Sequence, residues 1–313
     1  MAVSTPSPTP SKFSAWYQAA RPRTLTATYA PLGLAAVIAI QDGVFDLVRF
    51  VLSLIAALLL QIAANLINEY FDFKRGADEL KTAGQGMIIK NAVLSPRDVL
   101  IGAIVTVVVA VIIGLYLLTQ TGPLLFWIGL GGVLIVITYT AGPFPLAYNG
   151  LGEIAVFLFM GPLMVLGAYY VMAREFSGLP VIAALPLGFM VAAIMHANNV
   201  RDLEADRAVN KNTLAVRLGR PGARIEYVIL IGGAYVAVGV LIVLRVLPIT
   251  TLLVLLTLPE AYRLIGIINT SEEVPRLHMA MGRTARLHGR FGLWLVVGWA
   301  LALGLRAVGV SFI

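Results

Sequence analysis

Long apolar stretches separated by short polar segments run through most of the chain. About 20 apolar residues in a helix are enough to span a bilayer. Lipid offers no hydrogen-bond partners to the backbone, whereas a helix pairs its own N–H and C=O groups. We therefore expect each stretch to be a transmembrane helix. Together they predict an all-α, polytopic membrane protein with nine transmembrane helices. The predicted spans are 24–41, 50–70, 99–119, 123–141, 151–173, 180–200, 225–246, 249–268 and 291–312.

The composition agrees with this interpretation. Hydrophobic residues make up 59% of the 313 positions and charged residues 12%, about half the usual charged share of a soluble protein. The net charge of +7 therefore indicates loops that face anionic lipid headgroups rather than a surface for nucleic acid. The absence of cysteine excludes disulfides, thiolate metal sites and cysteine nucleophiles.

The distribution of Lys and Arg predicts the orientation. Residues 1–11 are rich in Ser, Thr and Pro and predict a disordered tail rather than a cleavable signal. Residues 12–313 are expected to form a single transmembrane domain. Of the 23 basic residues, 19 fall on the side of the N-terminus, and cytoplasmic loops are the ones enriched in such residues. We therefore expect a cell-membrane protein with a cytoplasmic N-terminus and an external C-terminus.

Two clusters of acids and amides stand where helices leave the membrane on the predicted cytoplasmic side. Asn68 and Asp72 end the second span, about 40° apart around a helix and therefore on one face. Asn198, Asp202 and Asp206 end the sixth span with the same spacing. The two clusters predict one shared site in a central cavity that is open to the cytoplasm.

Asp78 falls off the face of a continued helix. Gly76 can end the helix before Asp78, because glycine readily adopts the left-handed conformation of a helix C-terminus. The chain can then turn Asp78 back toward the site.

Carboxylate and amide oxygens suit a hard cation. Mg²⁺ prefers one or two carboxylates together with phosphate oxygens, so the clusters predict Mg²⁺ ions that bridge them to a diphosphate. Each acid at membrane depth costs roughly 2.5–3.5 kcal/mol, and such a ligand would compensate that cost. The basic residues near the clusters, which would attract a diphosphate, are Lys74, Arg75, Arg201, Arg207, Lys211 and Arg217.

Other functions would leave different patterns. Acids and bases at helix ends also form solvated ion pairs, worth about 0–1 kcal/mol each. A membrane transporter with a cytoplasmic acidic site would place charges near mid-membrane and use inverted repeats, whereas these acids gather at one surface. A CDP-alcohol phosphotransferase also uses Mg²⁺, but its D-G-x-x-A-R signature is absent.

Five motifs extend over nearly the whole chain. They are RPRTL at 21–25, N-E-Y-F-D-x-x-x-G-x-D at 68–78, YTAGPFPLAYNGLGE at 139–153, NNVRDLEADRAVNKNTLAVRLG at 198–219 and TARLHGRFGLWL at 284–295. These motifs resemble those of the UbiA superfamily of intramembrane aromatic prenyltransferases. The third and fourth are most similar to the branch that acts on 1,4-dihydroxy-2-naphthoate in menaquinone biosynthesis.

The resemblance implies a fold and a reaction. The fold has nine transmembrane helices, and two aspartate-rich motifs bind Mg²⁺ and a prenyl diphosphate. The reaction transfers a polyprenyl group from polyprenyl diphosphate to 1,4-dihydroxy-2-naphthoate with loss of diphosphate and CO₂, giving demethylmenaquinone. Other aromatic acceptors, 4-hydroxybenzoate or homogentisate, are the alternative within the superfamily.

Together with the charge pattern, the resemblance predicts roles for individual residues. The predicted metal ligands are Asn68, Asp72, Asp78, Asn198, Asp202 and Asp206. The predicted diphosphate-binding residues are Lys74, Arg75, Lys90, Arg201 and Lys211. The residues expected to bind the aromatic acceptor are Asn199, Tyr139, Tyr148 and Glu153. The predicted catalytic residues are Asp72, Asp202, Asp206 and Tyr139.

Some of these residues fit a structural role as well. Tyr139 and Tyr148 also suit an aromatic belt at the membrane interface, and Glu153 suits the N-terminus of a helix. His196, one turn before the second motif, is expected to be a packed, hydrogen-bonded histidine.

The chain departs from the family pattern at two places. Glu69 stands where the family usually has Asp, a lengthening that could move a metal or water ligand. The segment 84–93 lacks an arginine of the naphthoate branch, for which Lys90 can substitute only as a point charge. Outside the motifs, Gly129, Gly131 and Gly132 predict close helix packing.

Overall fold

The structure is a computed structural model that describes residues 11–77 and 87–309. The predicted tail, apart from Ser11, and Asp78 lie outside the described residues. Within them every regular element is helical. Short 3₁₀ segments lie at Pro22–Thr24, Leu146–Tyr148 and Ile249–Thr257. The α-helices are α1 (Lys12–Ala19), α2 (Thr26–Gln41), α3 (Leu47–Lys74), α4 (Pro96–Gln120), α5 (Pro123–Thr138), α6 (Gly152–Met160), α7 (Pro162–Ala173), α8 (Gly178–Ala183), α9 (Leu185–Ala208), α10 (Leu214–Val243), α11 (Leu258–Thr270) and α12 (Val274–Ala307).

Side-chain caps mark where the long helices begin. The Asp46 carboxylate accepts a hydrogen bond from the backbone of Arg49 at the start of α3, and Ser95 caps α4 in the same way. Such caps satisfy backbone N–H groups that a helix leaves unpaired at its N-terminus. At the other end of α3, Gly76 has a φ of +71°, and the Ala77 N–H donates to the carbonyl of Asp72. The predicted left-handed turn after the first motif is confirmed.

In the part of the chain that the structure describes, six helical segments are long and apolar enough to cross a membrane. They are α3, α4, α6 with α7, α10, Ile249–Thr270 and α12, and the bent pair Lys12–Thr24 and Thr26–Gln41, with an angle of 53°, makes a seventh. The predicted span 123–141 corresponds to α5, which has only 16 residues. The span 180–200 falls in α8 and α9, and α9 is less apolar than the six because it carries the second motif.

Several helices extend past the apolar runs that predicted them. α9 continues to Ala208, and α12 begins at Val274 rather than near residue 291. The added turns are rich in charged residues, so a hydropathy pattern alone does not include them. The extension of α9 is what places Asp202 and Asp206 on the same helix as Asn198.

The main buried core joins α2, α7, α9, α10, α11 and α12. Leu187, Phe291 and Trp299 are at most 1% exposed at its centre. Gly292 lets α12 approach α2, since a Cβ there would collide with Ala30. A second cluster joins α1, α3 and α4. A cavity lies between the helices of the two clusters.

Candidate active site

A cavity of about 640 Å³ opens between α3, α4, α5, α7 and α9. One face of α3 lines it from Ser53 to Asp72, a distance of roughly 28 Å at the helical rise per residue. Leu115, Phe126 and Val171 are among the apolar residues around the N-terminal half of α3, and the polar groups gather at the other end. The charged and amide residues of the lining are Arg21, Gln61, Asn65, Asn68, Glu69, Asp72, Asn198, Asn199, Arg201, Asp202 and Lys211.

The first motif presents Asn68 and Asp72 to the polar end of the cavity. Asp72 is 3% exposed, and the Tyr148 hydroxyl donates a 2.8 Å hydrogen bond to its Oδ1. The Asn68 side-chain oxygen accepts a bond of 3.2 Å from Arg21. Arg21 was not among the predicted site residues, although the RPRTL motif contains it.

The second motif lies on α9, on the side of that helix that lines the same cavity. Arg201 binds both oxygens of Asp202, at 2.7 Å from Nε and 2.5 Å from a terminal nitrogen. The same terminal nitrogen donates to Asn198 at 2.9 Å. In each motif an arginine therefore holds the amide oxygen of the asparagine, which gives the two halves of the site similar local arrangements.

Lys211 joins the two motifs. Its ammonium lies 3.3 Å from Asp72 and 3.6 Å from Asp206, and it is 4% exposed. Burial opposes its charge, but the neighbouring aspartate carboxylates outweigh burial, so the pKa of Lys211 is raised above its usual value. Lys211 is thus a fixed cation between two acids that lie on different helices. Asp206 is fully buried and lies outside the lining of the cavity.

Glu69 anchors the chain where it returns after the first motif. Its carboxylate accepts hydrogen bonds from the backbone N–H groups of Met87 at 3.0 Å, Ile88 at 2.5 Å and Ile89 at 3.4 Å. Arg21 completes the set at 3.4 Å. The departure from the family's Asp thus corresponds to a side chain that holds the segment carrying Lys90.

Two of the residues expected to bind the aromatic acceptor line the cavity. They are Asn199 and Tyr139. Tyr148 contacts Asp72 instead, and Glu153, 3% exposed, stands outside the lining. His196 is fully buried, with its Nε2 at 2.7 Å from the carbonyl of Ala223, so the prediction of a packed, hydrogen-bonded histidine is confirmed.

The predicted diphosphate-binding residues divide into two groups. Arg201 and Lys211 line the cavity. Lys74, Arg75 and Lys90 are exposed and lie outside the lining. The Arg75 guanidinium stacks 4.7 Å from the ring centre of Tyr148 and donates to the carbonyl of Gly142.

Two of the glycines predicted to serve helix packing do not do so. A Cβ on Gly129 or Gly132 would meet nothing within 4 Å, and both residues line the cavity. Only Gly131 makes a close approach, to Phe159 at 3.3 Å. The run of glycines in α5 therefore widens the cavity, which is a correction of the packing interpretation.

The donor set at the polar end fits magnesium. Asn68 and Asp72 on one side and Asn198 and Asp202 on the other offer only oxygen atoms, the ligands that Mg²⁺ takes in proteins. The carboxylates of both motifs are buried at 4% exposure or less. A buried concentration of negative charge of this kind calls for cations.

Comparison with known proteins gives a consistent family. The UbiA prenyltransferase family matches residues 29–273. The 1,4-dihydroxy-2-naphthoate octaprenyltransferase of Bacillus subtilis is 32% identical over 90% of this chain and 91% of its own length. The Escherichia coli enzyme of the same name is 36% identical over 72% of this chain and 75% of its own.

Solved structures share the fold. A UbiA homologue from Aeropyrum pernix K1, in its apo form, aligns with a TM-score of 0.66 at 15% identity, over 89% of this chain and 98% of that one. A homologue from Archaeoglobus fulgidus bound to GPP and Mg²⁺ aligns with a TM-score of 0.61 at 16% identity, over 90% and 99%. On its sequence and its fold, this chain belongs to the UbiA prenyltransferase family.

Proposed function

We propose that the protein transfers a polyprenyl group from polyprenyl diphosphate to 1,4-dihydroxy-2-naphthoate. Diphosphate and CO₂ leave, and the product is the reduced form of demethylmenaquinone. The observation that carries the proposal is the meeting of two Asn/Asp motifs at the polar end of a long apolar cavity. The relatives that bear this activity in their names align over most of the chain.

The polar end would hold the diphosphate. Arg21, Arg201 and Lys211 line it, and these cations attract the phosphate oxygens by charge-assisted hydrogen bonds. Asn68, Asp72, Asn198 and Asp202 would hold Mg²⁺, which neutralises the leaving diphosphate when bound. On diphosphate binding, Arg201 exchanges its bonds to Asp202 for bonds to phosphate, which frees the carboxylate oxygens of the second motif.

The apolar part of the cavity would hold the prenyl chain. Its walls are aliphatic and aromatic side chains, which exclude water from a carbon that becomes electron-deficient as its bond to oxygen breaks. The electron-rich ring carbon that carries the carboxylate attacks the prenyl C1. The C–CO₂⁻ bond then breaks, its electron pair returns to the ring, and CO₂ leaves.

The membrane arrangement is part of the proposal. Within the described residues, nine transmembrane segments result when α5, α9 and the bent pair at the N-terminus are added to the six segments that are long and apolar enough by themselves. The excess of Lys and Arg then places the N-terminus and the polar end of the cavity on the cytoplasmic side. Residues 12–313 act as one domain in this arrangement.

The test is a panel of aromatic acids. Purified protein in lipid is incubated with Mg²⁺ and a long polyprenyl diphosphate, and each acid is added in turn while diphosphate release is followed. We expect release with 1,4-dihydroxy-2-naphthoate and at most a tenth of that rate, roughly the loss of one good contact, with 4-hydroxybenzoate or homogentisate. Equal or faster release with either of these acids would replace the proposed acceptor, and no release with any acid would refute the enzyme.

A further inference from the structure

Glu153 does not line the cavity but is hydrogen-bonded to Asn199, which does. It belongs to the first turn of α6 and stands outside the cavity lining. Its Oε1 accepts a 2.8 Å hydrogen bond from the side-chain amide of Asn199, and Asn199 does line the cavity. The side chain of Glu153 therefore forms the layer behind Asn199.

This contact decides which end of the Asn199 amide is turned away from the cavity. A carboxylate oxygen that faces an amide pairs with the NH₂ group, because the carbonyl end of the amide can only accept. The orientation of an asparagine amide is assigned from its network of hydrogen bonds, and here the network holds Nδ2 against Glu153. The Oδ1 of Asn199 is then left for an occupant of the cavity.

Glu153 is itself held in place by a buried histidine. The Nδ1 of His196 lies 3.0 Å from the same Oε1, and its Nε2 contacts the carbonyl of Ala223 on α10 at 2.7 Å. An oxygen of Glu226, also on α10, lies 3.4 Å from Nδ1. Two residues of α9 thus hold the Glu153 carboxylate, and α10 in turn holds the His196 ring, which has little freedom to move because both of its nitrogens are in contact.

We propose that Glu153 is a positioning residue that keeps the Oδ1 of Asn199 pointed into the cavity to accept a hydrogen bond from a ring hydroxyl of the aromatic substrate. The inference rests on the proposed function and adds the feature of the substrate that is recognised. A ring hydroxyl can donate a hydrogen bond to this oxygen, and a ring without a hydroxyl cannot. A site built around a buried acceptor therefore discriminates against a ligand that lacks the hydroxyl. Asn199 then selects hydroxylated aromatic acids by direct contact.

The variants separate positioning from charge. Glu153→Gln retains the acceptor for Asn199, provided that its side-chain oxygen occupies the position of Oε1 and its NH₂ the position of Oε2. In the described part of the chain, Oε2 is buried and has no hydrogen-bond partner. Glu153→Leu removes the acceptor, so the Asn199 amide is free to turn. Asn199→Ala removes the recognition directly. Glu260→Leu is the matched control, because Glu260 pairs with Arg283 at 2.7 Å and neither residue lines the cavity.

The probes are two monohydroxy acids of the same size, 1-hydroxy-2-naphthoate and 4-hydroxy-2-naphthoate. Their dissociation constants are measured by calorimetry on the full protein with Mg²⁺ and inorganic diphosphate, so the result does not depend on turnover. In the wild type we expect the two constants to differ by about tenfold, the worth of one hydrogen bond. Glu153→Leu and Asn199→Ala should bring the ratio close to one. Glu153→Gln and Glu260→Leu should keep it.

The outcomes distinguish the inference from the function on which it rests. A ratio that survives in Asn199→Ala, or that is lost equally in Glu153→Gln and Glu153→Leu, overturns the positioning role even while the wild type turns over. If the wild type releases no diphosphate with any of the aromatic acids, the proposed function is refuted instead. Unfolding temperatures of the variants, measured alongside, show whether Glu153→Leu remains folded, and Asn199→Ala carries the test where it does not.

Discussion

Replacing Glu69 by Gln is expected to loosen the chain where it returns after the first motif. The carboxylate holds the backbone N–H groups of Ile88 at 2.5 Å and Met87 at 3.0 Å. Hydrogen bonds to a charged group contribute about 1.5–3 kcal/mol each. Gln has the same size but keeps one oxygen and no charge, so we expect a loss of roughly 3 kcal/mol from the local stability of residues 87–89. That corresponds to about a 100-fold rise in opening.

Hydrogen exchange followed by mass spectrometry measures this change. Peptides over residues 87–93 should exchange about 100-fold faster in Glu69→Gln than in the wild type, while a peptide around Ile231, in the core, should not change. Glu204→Gln is the matched control, since Glu204 is exposed and within the described residues pairs only with Arg207 and Arg220. Unchanged exchange over 87–93 would refute the anchoring role, and an equal rise in the core peptide would show a global loss of stability instead.

Three further changes test other parts of the site. Lys211→Met leaves two buried carboxylates without their shared cation, and we expect a loss of about 3–5 kcal/mol that added Mg²⁺ partly restores; an unfolding temperature in EDTA equal to that of the wild type would contradict this. Asp202→Asn should lower diphosphate release by at least about 100-fold, and because it weakens the buried pair with Arg201 it should also lower the unfolding temperature; full activity would exclude Asp202 from the site. Gly132→Leu should slow transfer of a long prenyl chain more than transfer of a geranyl group, because Gly132 borders open cavity. Gly239 lies away from the lining, so Gly239→Leu should affect both transfers alike. Equal effects of the two variants would contradict a role of Gly132 in accommodating the prenyl chain.

Helical spacing predicted the local geometry of both motifs. Asn68 with Asp72, and Asn198 with Asp202, line the same cavity, as the step of about 40° per four residues requires. The turn at Gly76 was predictable for a similar reason, since it depends on one residue type and its neighbours. These features are local, and a single sequence contains them.

Contacts between distant segments were not predictable from spacing. Lys211 meets Asp72 across 139 positions of sequence, and Tyr148 meets it across 76. The basic residues nearest to the first motif in sequence, Lys74 and Arg75, are exposed instead. Proximity along the chain was a poor guide to the charge in the cavity, because Asp72 faces the cavity whereas the side chains of residues 73–75, which follow it at the end of α3, are exposed.

The glycines of α5 show a second limit of the sequence. Small residues in an apolar helix suit either a close helix contact or an open wall, and the pattern of the helix is the same in both cases. The fold decides between them, because Gly129 and Gly132 face the cavity and Gly131 faces Phe159.

The most direct test of the account is the stoichiometry of a single turnover. Purified protein with Mg²⁺ receives a polyprenyl diphosphate and 1,4-dihydroxy-2-naphthoate labelled in its carboxylate, and diphosphate, CO₂ and prenylated ring are counted together. We expect equal amounts of all three from the wild type and none from Asp72→Asn. Diphosphate release without CO₂ and prenylated ring, or full turnover by Asp72→Asn, would contradict it.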